Sequence, residues 1–137
     1  MTISPQENLV QLKFSRSASC STLILLVLLA LLATMGAGLG WIRSFVGDVI
    51  AVIFVYAVLR IFIEGNRLLL ALIAFLTGVA VEFGQYLAKQ FDVVIGNPAL
   101  RIILGATPDW LDVLAYATGA GIVVAYLLAR RQVEASN

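Results

Sequence analysis

An all-α, polytopic membrane protein is what this sequence predicts: four transmembrane helices in a compact bundle, with a short interfacial helix between the third and the fourth. Three observations carry that reading. Hydrophobic residues make up 61% of the chain and charged residues only 12%, more apolar surface than a soluble domain of this length can hide, because small domains expose much of what they have. The apolar residues fall into four runs, each close to the roughly 20 residues one helix needs to cross a bilayer. Turn and capping residues separate the runs.

Residues 1–19 place Glu7, Lys13 and Arg16 among polar neighbours. They offer too little apolar surface to fold alone, and a flexible cytoplasmic tail is expected. The first span runs from Cys20 to Leu39. Its basic flank fits an uncleaved anchor, since no small-x-small cleavage site follows the leucines. Cys20 is the single cysteine, so it has no internal disulfide partner and reads as an inert thiol near the membrane edge. The second span, Gly47 to Ile63, follows a short polar break marked by Arg43 and Asp48. It ends at Glu64-Gly65-Asn66-Arg67, a sequence suited to a tight reversal.

Leu68 to Leu87 forms the third span, interrupted only by Thr77, Gly78, Glu82, Gly84 and Gln85. In the connection that follows, Asn97 as N-cap, Pro98, the apolar Leu100, Ile102, Ile103 and Leu104, and Gly105 as a stop predict a short helix over 98–104. It is expected at the outer interface, with a re-entrant segment as the alternative. Thr107 as N-cap and Pro108 at the first helical position open the fourth span, which runs to Leu128. The transmembrane domain is therefore 20–129, followed by a cytoplasmic tail over 130–137. Four spans put both termini on one side. Lys13, Arg16, Arg67, Arg130 and Arg131 gather there against Arg43, Lys89 and Arg101 on the other, which predicts cytoplasmic termini.

Helical spacing aligns Asp48, Val52, Tyr56 and Arg60 on one face of the second span, Gly78, Glu82, Gln85 and Tyr86 on the third, and Asp112, Tyr116 and Gly119 on the fourth. Chain direction brings Asp48, Glu82 and Asp112 to the outer portion of the membrane. An ionised carboxylate facing lipid costs about 2.5–3.5 kcal/mol on insertion scales, so Glu82 is expected to face protein or water, or to be protonated. The candidate polar pocket, open to the outer side, comprises Asp48, Tyr56, Glu82, Gln85, Arg101, Asp112 and Tyr116, with Arg101 or Lys89 as counter-charge. The competing reading makes Asp48 and Asp109 plain helix-start acids favoured by the dipole. For Arg60, snorkelling and a pairing with Glu64 are both open. Trp41 and Trp110 read as interface anchors, and Gly119 and Gly121 as points of close helix approach.

No enzyme signature stands out. Histidine is absent, there is no cysteine pair, no glycine-rich phosphate loop, and no serine beside an evident base. Nothing fixes a metal-ligand set, and no cofactor is expected. A net charge of +1 with scattered basic residues gives no footprint for nucleic acid.

The series Gly47-Asp48, Tyr56, Arg60, Glu82-x-x-Gln85, Arg101 and Trp110-Leu111-Asp112 through Tyr116 and Gly119 resembles the VanZ-like group of small bacterial membrane proteins, most of all a branch known only as a domain of unknown function. The likeness covers residues 40 to 128. Val52 stands where that group typically carries histidine, and Tyr116 where it carries asparagine, so a histidine-based proton transfer does not carry over. The resemblance implies a four-helix protein of the bacterial cytoplasmic (inner) membrane, with no established activity. Three functions compete: binding of an envelope lipid head group, cell-wall precursor or cation at the outer pocket; intramembrane catalysis on a lipid-linked substrate with Glu82 or Asp112 as acid or base; and a proton or ion pathway along the stripe from Asp48 to Arg60. Transport by four short helices calls for an oligomer.

Overall fold

The computed structural model describes residues 10–35, 37–98 and 109–136. Four helices, each long and apolar enough to cross a membrane, pack against one another: α1 (Arg16–Met35), α2 (Trp41–Phe62), α3 (Arg67–Gln90) and α4 (Trp110–Ala135). The protein is thus a multi-pass membrane protein whose lipid-facing surface is apolar. Two short strands, β1 (Val10–Leu12) and β2 (Ile63–Gly65), form an antiparallel ribbon at one end.

That ribbon replaces part of the tail expected over 1–19. Val10 pairs with Gly65 and Leu12 with Ile63, and Lys13 and Ser15 each donate a backbone N–H at 2.8 Å, to Phe62 and Ile61. The strand finds a partner because α2 ends at Phe62 and leaves the carbonyls of its last turn without helical donors. α1 accordingly begins at Arg16, ahead of Cys20.

The α1–α2 connection is tight. A 3-10 turn at Ala37–Leu39 leads to Gly40 at φ 53°, a left-handed conformation that glycine adopts without a Cβ penalty. α2 starts at Trp41, so Arg43 and Asp48 lie inside the helix, and the polar break expected there is absent. Arg43 bends back, and its Nη1 donates to the Ala33 carbonyl at 3.3 Å, satisfying one of the open carbonyls at the end of α1. Asp48 stands well beyond the first turn of α2 and caps nothing.

At the start of α3, the Asn66 side chain accepts from the N–H groups of Leu68 and Leu69. α4 is capped by Asp109, whose Oδ1 accepts from Leu111 N at 3.0 Å while its own backbone is extended. The cap expected at Thr107 therefore sits at Asp109, the last extended residue before the helix; Thr107, Pro108 and nearly all of the helix expected over 98–104 lie outside the described residues. α4 continues past Leu128 through Arg130 and Arg131 to Ala135, with an Arg130–Glu134 ion pair at 3.3 Å one turn apart. Most of the expected C-terminal tail is helical for that reason. Asp109→Ser is expected to leave thermal unfolding in detergent nearly unchanged, whereas Asp109→Ala loses the cap, worth about 0.5–2 kcal/mol.

α2, α3 and α4 form the core, and α1 packs against α2 at the periphery. Within the most apolar window of each helix, 6% of α1 is buried against 28% of α3 and of α4. Two apolar clusters hold the core: Val52, Ala74 and Tyr116 in one, Ala71, Val123 and Leu127 in the other. The close approach expected at Gly119 is present, since a Cβ built there would lie 2.6 Å from the Val49 carbonyl oxygen. At Gly121 nothing comes within 4 Å, so only one of the two glycines marks an approach.

Candidate functional site

Besides Asp109 at the cap of α4, the end of the bundle where α2 and α4 begin and α3 finishes collects three carboxyl side chains, one from within each core helix. Glu82 is buried, at 6% exposure, and Tyr116 is equally buried. Tyr116 OH donates to Glu82 Oε1 at 3.2 Å, and the Asp109 backbone N–H donates to Oε2 at 3.4 Å. Asp48 and Asp112 are half-buried. Their side chains lie close enough to interact directly, and Glu82 lies within electrostatic reach of both.

Local sequence explains how these groups meet. Gly78 stands one turn before Glu82 on α3, and a Cβ there would lie 2.8 Å from the Tyr116 ring. The missing side chain lets the ring rest against the α3 backbone, which carries the hydroxyl up to the carboxylate of the next turn. Gly119, one turn after Ala115, lets α4 approach α2 closely enough for Asp112 to reach Asp48. The two glycines thus set the helix separations across which the polar contacts form.

Of the residues expected in the pocket, the structure brings together Asp48, Glu82, Asp112 and Tyr116. Gln85 is buried one turn along α3 from Glu82, at 5% exposure. Tyr56 lies elsewhere: its ring packs beside both apolar clusters, and its electrostatic neighbours are Arg60, Arg67 and Tyr126, towards the other end. Tyr86, expected on the Glu82 face, is 53% exposed and points away from the bundle. Arg101 lies outside the described residues. Among the described residues neither Lys89 nor any other cation forms an ion pair with the three carboxyls, and no group of three or more acidic or cysteine side chains has an arrangement that could hold a metal ion.

The backbone N–H of Asp109 is the partner sequence reasoning missed. The aspartate is legible as a helix-start residue, but its amide contact with Glu82 depends on how the chain enters α4, which spacing does not encode. Arg60 also departs from the pairing with Glu64, because the chain leaves the helix at Ile63 and Glu64 pairs instead with Lys13 at 3.2 Å.

Fold and site together define a four-helix, multi-pass membrane protein with an acidic cluster built into one end of its core. The chain belongs to the family described as Protein of unknown function (DUF2809), whose model matches residues 37–120. The match takes in Asp48, Glu82, Asp112 and Tyr116 and leaves out α1 and β1. No curated protein matches the chain, and no solved structure does.

Proposed function

We propose that the acidic end of the bundle binds a cationic group, the ammonium of a head group or of an envelope precursor, from the outer side of a bacterial cytoplasmic membrane. The carrying observation is the contact between Asp48 and Asp112 with Glu82 beside them. Ionised carboxylates only accept hydrogen bonds, so two in contact call for a proton or a cation between them. An ammonium supplies donors and charge together, and no lysine or arginine among the described residues does so. The likeness to VanZ-like envelope proteins supports the location, and the distribution of basic residues supports cytoplasmic termini.

A proton or ion pathway along the α2 stripe has less support. The stripe is interrupted at Val52, which is 2% exposed and packs with Ala74 and Tyr116 between the carboxyl cluster and Tyr56. An enzymatic reading has, among the described residues, only the Tyr116 hydroxyl hydrogen-bonded to the acids as a possible nucleophile.

Thermal unfolding in detergent across a panel of envelope lipids and precursors tests the proposal. At least one amine-bearing component is expected to raise the unfolding temperature of the wild type and to lose that effect in Asp112→Asn and Glu82→Gln. Stabilisation that survives in both variants, or that only amine-free components give, would sink the reading. Orientation has its own test. Reporter fusions after Asn66 and Asn137 are expected to read cytoplasm and one after Asn97 the outside; a cytoplasmic signal at Asn97 removes the outer pocket.

A further inference from the structure

The opposite end of the bundle holds a cavity that the carboxyl cluster does not use. It measures about 180 Å³ and is lined by Lys13, Phe14, Ser15, Arg60, Ile63 and Glu64. The backbone bonds from Lys13 to Phe62 and from Ser15 to Ile61 fix the segment between β1 and α1 against the last turn of α2, where Arg60 stands. Three charged groups line the space. Glu64 is engaged by Lys13 at 3.2 Å, while Arg60 makes no ion pair among the described residues. The lining therefore carries one positive charge in excess. That charge sits on a guanidinium, whose planar fork of donors matches the oxygens of a phosphate.

Position narrows the ligand. Arg60 belongs to the last turn of a membrane-spanning helix, the depth at which a long basic side chain runs its stem along apolar surface and holds its head among lipid head groups. Phe14 is exposed and meets Phe62 edge to face at 6.5 Å, which gives the cavity an apolar flank beside its polar floor. Arg16 and Arg67 open α1 and α3 at the same end, adding to the local positive field. Either leaflet presents phosphates at this depth, so nothing here depends on which way the protein is inserted.

We infer that this cavity binds the phosphate of an anionic phospholipid, with Arg60 taking the phosphodiester oxygens and Phe14 and Ile63 lying beside the start of the acyl chains. The Lys13–Glu64 pair stays closed and serves as one wall.

Native mass spectrometry of the full chain in detergent, titrated with phosphatidylglycerol or phosphatidylcholine of matched acyl chains, tests the inference. Wild type is expected to retain phosphatidylglycerol several-fold better than phosphatidylcholine. Arg60→Gln should bring the two to parity, Arg60→Lys should keep part of the preference, and Arg131→Gln, which removes one charge from the same end outside the cavity, should keep all of it. Lys13→Gln, at an exposed position, covers the case in which Arg60→Gln fails to fold, and is expected to weaken the preference by opening the wall. Equal retention of the two lipids by wild type, or equal losses in Arg131→Gln and the cavity variants, overturns the proposal. Inorganic phosphate forms the remaining arm: stabilisation by it that vanishes in Arg60→Gln, without any lipid preference, would assign the cavity to a soluble anion and reject the lipid.

Discussion

Gly119→Ala is expected to lower the unfolding temperature of the purified protein, although alanine is the better helix former. In a helix interior the change from glycine gains about 1 kcal/mol from propensity alone. Here the new methyl would lie 2.6 Å from the Val49 carbonyl oxygen and 3.3 Å from the Val52 Cβ. The first obstacle is backbone and cannot rotate aside, so α4 must move off α2. Overpacking of this kind costs about 1–3 kcal/mol, and a backbone clash belongs at the upper end, which leaves a net loss. Gly121→Ala supplies the comparison, because nothing lies within 4 Å of its Cβ position; that variant is expected to be neutral or slightly more stable. Comparing the two unfolding curves reads the helix contact directly. Equal behaviour would mean that α2 and α4 do not pack at Gly119.

The second large effect is expected at Glu82. Removing its carboxylate in Glu82→Ala leaves the buried Tyr116 hydroxyl and the Asp109 N–H without their acceptor. A buried donor left unsatisfied costs about 1–3 kcal/mol. Glu82→Gln keeps an oxygen for one of them and should lose less. With Tyr116→Phe as the second change, the double-mutant cycle is expected to show coupling of about 0.5–3 kcal/mol, the range for residues in direct contact. Asp112→Ala combined with Glu82→Ala should likewise be non-additive, since the two share one cluster. Additive losses in both cycles would dissolve the cluster into independent structural contacts.

Much of this architecture is readable from the chain because bilayer thickness sets helix length and apolar runs report it directly. The three acids could be placed at one end by chain direction alone, and three- and four-residue spacing put Asp112 and Tyr116 on one face. Spacing misleads where a helix starts or stops elsewhere than its apolar run. Arg43 and Asp48 look like a break, yet α2 absorbs both, with Arg43 turning back to the Ala33 carbonyl at the end of α1. Tyr56 looks like a member of the polar stripe, but two turns separate it from Asp48 and it ends up among apolar side chains. The ribbon is the least legible element. Three residues of β1 pair with residues far along the chain, and neither segment alternates strongly enough to announce a strand.

That ribbon bears on how the protein is made. Val10–Leu12 can meet Ile63–Gly65 only after α1 and α2 have both been synthesised and both ends stand on the same face of the membrane. A chain in which only one of the two helices crossed would leave the two segments on opposite faces, separated by about 30 Å of hydrocarbon. Strand pairing is therefore compatible only with a hairpin in which both helices cross: it fixes the start of the chain beside the α2–α3 turn, and every segment it needs precedes α4, which completes the acidic cluster.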